Sequence, residues 1–453
     1  MSDTQGDLEA LARAAVQATV AAGATDAEAW GESSAGRQIR VYDGEVESLS
    51  DSGGRGIGVR ALIDGRSGYA YGTDLSPDGI DGVARRAHEL AAAADTDEFA
   101  GLPEVGGTTP VEGLASAAMA DWTTEAKVEL ALAVDRAARS RPGVSQVEQT
   151  VYSDSEGFAA IANSRGLTAS YSATAAWSYA SAFAGEGEDL MTAMGIGLAR
   201  DPGGLDPEAI GLEAADRALA LVGARQPTSR RCPVVLDAFV AASFAGYIGS
   251  MLSADAVQRG RSLFAGREGD EVADPHFALS DDGRHPEGPS SAPFDGEGVA
   301  TRQTPLITGG RLAGYLYDTR TGRKDSRPST GNAGRGSYRA PASVGTTNLV
   351  LEPGEGSLEE LIARAGDGLY VTDVAGLHSG VNPVSGTFSV GASGRLIENG
   401  ELGAPVREIT IASDLVGMLR AVTAVGGESR WVPLGGSVRA VALLIGEMSV
   451  AGS

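Results

Sequence analysis

The stretch "VVLDAFVAASFAGYIGSMLSADAVQRGRSLFAG", Val234–Gly266, decides how the second half of this chain is read. Val234–Leu236 is an apolar strand, Asp237 is placed to cap a helix, and a Gly-punctuated loop follows. A strand running into a helix near the middle of a large chain is a position where many enzymes put their chemistry. Yet this helix has no His, Cys, Glu, Lys or Arg. Its polar side chains are Ser243, Tyr247 and Ser250. On residue type alone it is a buried helix with a packing role.

Working outward, the polar, basic joint "GARQPTSRR" precedes the strand and sets the expected domain boundary, 1–228 and 229–453. On its N-terminal side, apolar residues at helical spacing predict helices over 7–23, 76–95, 123–143 and 206–223. Between them lie β-prone runs broken by "DG", "SGG" and "DGRSG", the signature of an antiparallel meander. On its C-terminal side come a hairpin, "PLITGGRLAGYLYDT", and a Gly/Arg-rich loop, "TRTGRKDSRPSTGNAGRGSYR". A helix near 357–365, another near 414–424 and several strands complete the chain. The expected class is α+β: an N-terminal α/β domain of meanders and helices, and a β-rich C-terminal domain.

Composition excludes several function classes. The 453 residues carry 36 basic and 60 acidic side chains, a net charge of −24 that disfavours binding to a phosphate backbone. One cysteine, Cys232, rules out a disulfide within the chain. No uninterrupted apolar run is long enough to span a bilayer, and "MSDTQGDLEALARAAVQ" lacks the features of a signal peptide, so a cytoplasmic protein is the expectation.

The candidates for chemistry are sparse. A helix-borne zinc site needs two imidazoles about one turn apart, but the four histidines are His88, His276, His285 and His378. His88-Glu89 is followed by Ala92 and Ala93 where a second ligand would stand, which leaves His88 as a solvent-facing helix residue. Cys232 reads as a small buried residue at a strand start. There is no nucleophile elbow, P-loop or dinucleotide fingerprint; "GGRGIG" at 53–58 lies in a meander. Arg320, Arg323, Lys324, Arg327, Arg335 and Arg339 cluster in the Gly/Arg loop, which could grip a carboxylate or a peptide backbone, or serve as a solvated surface or partner contact. "GLHSGVNPVSGTFSVGASG", 376–394, could line a ligand channel or form ordinary sheet turns.

Three longer blocks carry a resemblance: "GRGIGVRALIDGRSGYAYGTDL", "FDGEGVATRQTPLITGGRLAGYLYDT…STGNAGRGSY" and "GVNPVSGTFSVGASGRLIENGELGAPVREITIASDLVGML" with "VALLIGEMSVAG". Together they resemble the TldD/PmbA family from about residue 25 onward. The resemblance implies a cytoplasmic metallopeptidase that takes small or unfolded peptides into a narrow cavity, some members maturing peptide natural products. In that family TldD-type chains hold zinc through an H-E-x-x-x-H helix and a later Cys. PmbA/TldE-type chains lack these ligands and pair with a TldD-type chain. Aligned through "QRGRSLFAG", the motif positions fall here on Ala245, Gly246 and Ser250, and the Cys position near Val425. The resemblance therefore implies a PmbA/TldE-type subunit with no catalytic residue and no metal of its own, zinc being expected in the partner. Arg335, Tyr338, His378, Asn382 and Ser385 are then candidates to line the substrate channel. Two other readings stay open: a homodimeric scaffold without peptidase activity, and a zinc-independent enzyme of the same fold using His378 or Cys232.

Overall fold

The structure, a computed structural model, describes residues 2–104, 106–433 and 437–452. The first half builds one antiparallel sheet from β1 (Asp26–Tyr42), β2 (Glu45–Ile63), β3 (Arg66–Gly72), β4 (Val144–Asn163), β5 (Thr168–Ala184) and β6 (Met191–Ala199), in the order β3-β2-β1-β4-β5-β6. Helices α1 (Ser2–Ala21), α2 (Pro77–Ala93), α3 (Thr124–Arg139) and α4 (Pro207–Leu219) cover one face. Two cores lie under them. Ile57, Val59 and Ala61 pack with α1 and α2, whereas Ile39, Val41 and Tyr152 pack with α3 and α4. The helix starts follow their caps: the Ser76, Thr123 and Asp206 side chains each accept a backbone N–H of the first turn.

The second half opens on β7 (Arg230–Leu236) and α5 (Ala238–Met251). β7 pairs in parallel with Gly368–Ala375 and antiparallel with Leu443–Ala451. Thr387–Glu398 and Glu401–Asp414 continue this sheet, and Glu401–Asp414 also pairs with Leu443–Ala451, so five strands close into a ring. A second six-stranded sheet is made by short strands between Leu279 and Ala440. Helix α5 touches strands of both sheets. A helix flanked on two sides has no polar face to keep, which explains its apolar sequence. The fold is mixed α and β and rich in sheet.

Two local differences from the sequence reading have simple causes. The Gly/Arg segment begins with a short helix, Thr319–Lys324, because Asp318 and Thr321 form a reciprocal capping box. His88 is half-buried, its ring set beside Gly23, where a Cβ would come within 3.1 Å of Nε2.

Candidate functional site

Asp237 fixes the start of α5. Its carboxylate accepts the Phe239 N–H at 2.8 Å and the Tyr370 hydroxyl at 2.7 Å, with Arg217 at 3.4 Å. Burial and the Asp237 charge push the Tyr370 hydroxyl far above its usual range. Two guanidiniums, Arg217 and Arg430, lie over the Phe239 ring at 4.4 and 4.3 Å from its centroid. Phe239, Val240 and Ser243 then line a cleft of about 350 Å³ shared with Met194, Arg217 and Val374.

Further along α5 stand the motif positions. Ala245 is buried, Gly246 is half-buried and Ser250 is exposed. The Ser250 hydroxyl donates to the Tyr247 carbonyl at 2.7 Å, and the Tyr247 hydroxyl donates to Val381 O at 3.3 Å. Gly249 sits so close to the second sheet that a Cβ would fall 2.5 Å from Leu349 Cδ1. Val425 is buried at the end of the strand Val422–Val425. A zinc ion in this fold needs imidazole, thiolate or carboxylate donors, and these four positions offer one hydroxyl, already engaged. Among the described residues no three His, Cys, Asp or Glu side chains converge on a common point. The residues at the motif positions do not fit a zinc ion.

The five channel candidates fall into two groups. Arg335 and Tyr338 are buried between the halves. The Arg335 side chain, only 2% exposed, donates to Glu28 and Gly296 O at 2.8 Å each and to the Tyr69 hydroxyl at 2.9 Å. Arg60 bridges the same Glu28 at 2.9 Å and Glu297 at 3.3 Å. Burial works against the charge on Arg60, but Glu28 and Glu297 outweigh it and hold its pKa above the usual range. Beside them burial and the Glu297 charge push Asp295 up to about 7. The Tyr338 N–H donates to Glu32 at 2.9 Å, its carbonyl accepts the Tyr69 hydroxyl at 2.8 Å, and its ring covers Gly56, where a Cβ would lie 2.2 Å away. Other loop cations strap the 97–102 segment: Arg320 pairs with Asp97, and Arg323 donates to the Leu102 and Phe99 carbonyls.

His378, Asn382 and Ser385 are exposed. The Asn382 side chain accepts the Val384 and Ser385 N–H groups at 2.9 and 3.1 Å, shaping a tight turn beside an open cleft of about 470 Å³. Cys232 is buried in β7, and burial pushes its thiol up, away from the reactive thiolate. The sequence reading did not single out Glu28, Arg60, Tyr69 or Glu297. The one signal that pointed to them was the glycine spacing in "GRGIG": Gly56 and Gly58 leave room for Tyr338 and Tyr69.

Comparison with known proteins places this architecture. Sequence models of the PmbA/TldA metallopeptidase match in order along the chain: domain 1 at residues 27–91, the central domain at 119–222 and the C-terminal domain at 229–452. The chain belongs to the PmbA/TldD family. Metalloprotease PmbA of Escherichia coli O157:H7 is 28% identical over 427 residues, 92% of this chain and 90% of that protein. A metalloprotease TldD homolog of Haemophilus influenzae is 26% identical over 445 residues, 91% of this chain and 90% of that one. The crystal structure of TldE from Thermococcus kodakarensis superposes with a TM-score of 0.90, covering 98% of this chain and 100% of that chain at 23% identity, a likeness of fold. The PmbA/TldD relatives thus include proteins named as metalloproteases of both the PmbA and the TldD kind. Among the described residues no helix is long and apolar enough to cross a membrane.

Proposed function

We propose that this chain is the PmbA/TldE-type subunit of a two-chain metallopeptidase acting in the cytoplasm on small or unfolded peptides. The zinc and the groups that activate water belong, in this reading, to a TldD-type partner. This chain binds no metal of its own and contributes wall and shape to the peptide cavity. One observation carries the reading: Ala245, Gly246, Ser250 and Val425 occupy the positions where the family's TldD-type chains hold their ligands, and none can do that work. Their setting supports it further. Helix α5 is committed to packing between two sheets, and an imidazole at Ala245 would have to displace buried neighbours. A zinc-independent activity on Cys232 has less support, since that thiol is buried and raised in pKa.

The test is to purify this chain, a TldD-type chain from the same source, and the two expressed together, and to measure hydrolysis of unstructured peptides by each. The reading predicts turnover by the mixture and none by this chain alone. Turnover by this chain alone would overturn it.

A further inference from the structure

A cavity of about 670 Å³ opens between the two halves of the chain. Pro103, Glu104, Gly106 and Gly107 line it from the first half, and parts of 299–302 and 319–329 line it from the second. It is larger than the clefts beside Phe239 and Asn382, and lies within the usual range for small-molecule pockets, about 300–1,000 Å³. Three of its lining side chains are guanidiniums: Arg302, Arg323 and Arg327. Arg327 is neutralised by Glu268 at 2.9 Å. Arg302 and Arg323 form no ion pair with any described residue. They reach only backbone: Arg302 donates to the Ser329 carbonyl at 2.7 Å, and Arg323 to the Phe99 and Leu102 carbonyls. A guanidinium has five N–H groups, so each keeps donors for a further acceptor.

In a chain with 60 acidic and 36 basic residues, a carboxylate is an easy partner to find. Two arginines on one cavity that have none are a site left open. The single lining carboxylate, Glu104, is exposed and has no ion-pair partner among the described residues. Thr319 in the wall is 6% exposed, and its hydroxyl has no partner among the described residues, so one more donor is uncommitted. Val299, Ala300 and Pro328 add apolar wall. A phosphate fits this lining poorly. The Thr319 and Thr321 N–H groups, at the start of the short helix beside the cavity, are already taken by Glu297 and Asp318, so the backbone cradle a phosphate uses is mostly spent. What remains are planar guanidinium forks, which match a carboxylate, together with apolar wall and one opposite charge.

We propose that this cavity binds the C-terminal end of a short peptide, its carboxylate held by Arg302 and Arg323 and its body lying against the apolar wall. The two signs of charge in the lining suit a peptide with both ends free. None of the lining residues lies on α5 or in the turn that carries Asn382 and Ser385. The choice of a peptide rests on the function proposed above, whereas the carboxylate site rests on the unpaired arginines. The two can fail separately. The test below reads binding to this chain alone, so its failure leaves a two-chain peptidase standing, and a mixture without turnover leaves this site standing.

The experiment is isothermal titration calorimetry on the full chain with four probes: trialanine, its C-terminal amide, acetate and inorganic phosphate. Trialanine is expected to bind with a Kd of about 1 mM or tighter. The amide, acetate and phosphate should each bind at least about tenfold more weakly. Arg302→Gln and Arg323→Gln should each weaken trialanine by roughly tenfold, while Arg86→Gln, an exposed arginine on α2 outside the cavity, should leave it unchanged. Circular dichroism checks the fold of each variant. Arg323 also straps the 99–102 segment, so if Arg323→Gln unfolds, the exposed Arg302 position carries the test. The proposal is overturned if trialanine does not bind, if the acid and the amide bind equally, if acetate or phosphate binds as tightly as trialanine, or if Arg302→Gln keeps full affinity.

Discussion

Helix α5 and the junction around Arg335 are opposites. In the proposed reading the helix stands where TldD-type chains carry their metal ligands, yet the positions concerned hold hydrocarbon, a glycine and one hydroxyl that bonds its own backbone. The junction, in contrast, gathers Glu28, Arg60, Glu297, Arg335 and Asp295 in the interior, a grouping that residue type alone would suggest as a catalytic centre. Its geometry argues otherwise. Glu28 is shared by two guanidiniums, Arg335 spends its donors on Glu28, Gly296 and Tyr69, and Glu297 accepts the Thr319 N–H as well as Arg60. A cluster that is charged, buried and almost fully paired with itself holds parts together. The comparison teaches that buried charge marks chemistry only where a group is left free to act.

Substitutions can break or sharpen this contrast. The largest effect is expected from Arg335→Ala, which leaves Glu28 short of a partner inside the molecule and should cost about 3–5 kcal/mol in urea unfolding. A loss below about 1 kcal/mol would mean the junction is not a lock. Ala245→His puts an imidazole into a buried, close-packed position and should cost about 1–3 kcal/mol without creating a metal site. Zinc bound by that single variant would show the helix to be closer to a ligand set than its packing implies. The smallest effect concerns pH. Asp295, held near 7 in the folded chain against 3.8 as its ordinary value, keeps a proton that the unfolded chain has released across that window. Stability contributed by this group is therefore full below about pH 4, falls as pH rises towards 7, and is level above it. Asp295→Asn should flatten that fall, by at most about 1.4 kcal/mol per pH unit. An unchanged pH slope in the variant would remove Asp295 from the account.

Much of this contrast could be seen from one side in the sequence. The caps at Ser76, Thr123, Asp206, Asp237 and Ser357 are local signals, and the helices begin where those residues place them. The blandness of α5 was legible for the same reason: an absent side chain is visible in one dimension. The junction was not, because Arg335 and Glu28 lie 307 residues apart and neither is unusual in its own segment. The Gly/Arg segment looked like a surface loop because glycine and arginine are common there. Two of its arginines, Arg323 and Arg335, are instead drawn inward by the carbonyls of 99–102 and by Glu28, which only the fold brings to them, while Arg320, Arg327 and Arg339 stay exposed. Within the segment, the Asp318–Thr321 capping box was a local signal that the many glycines obscured.

The central claim is that the metal belongs to the partner. It is tested most directly by zinc content per chain, measured by elemental analysis on this chain alone, on a TldD-type chain, and on the complex purified after co-expression. The account predicts no stoichiometric zinc in this chain and one zinc per TldD-type chain, whether that chain is free or in the complex. One tightly held zinc per molecule of this chain, purified alone, would contradict it.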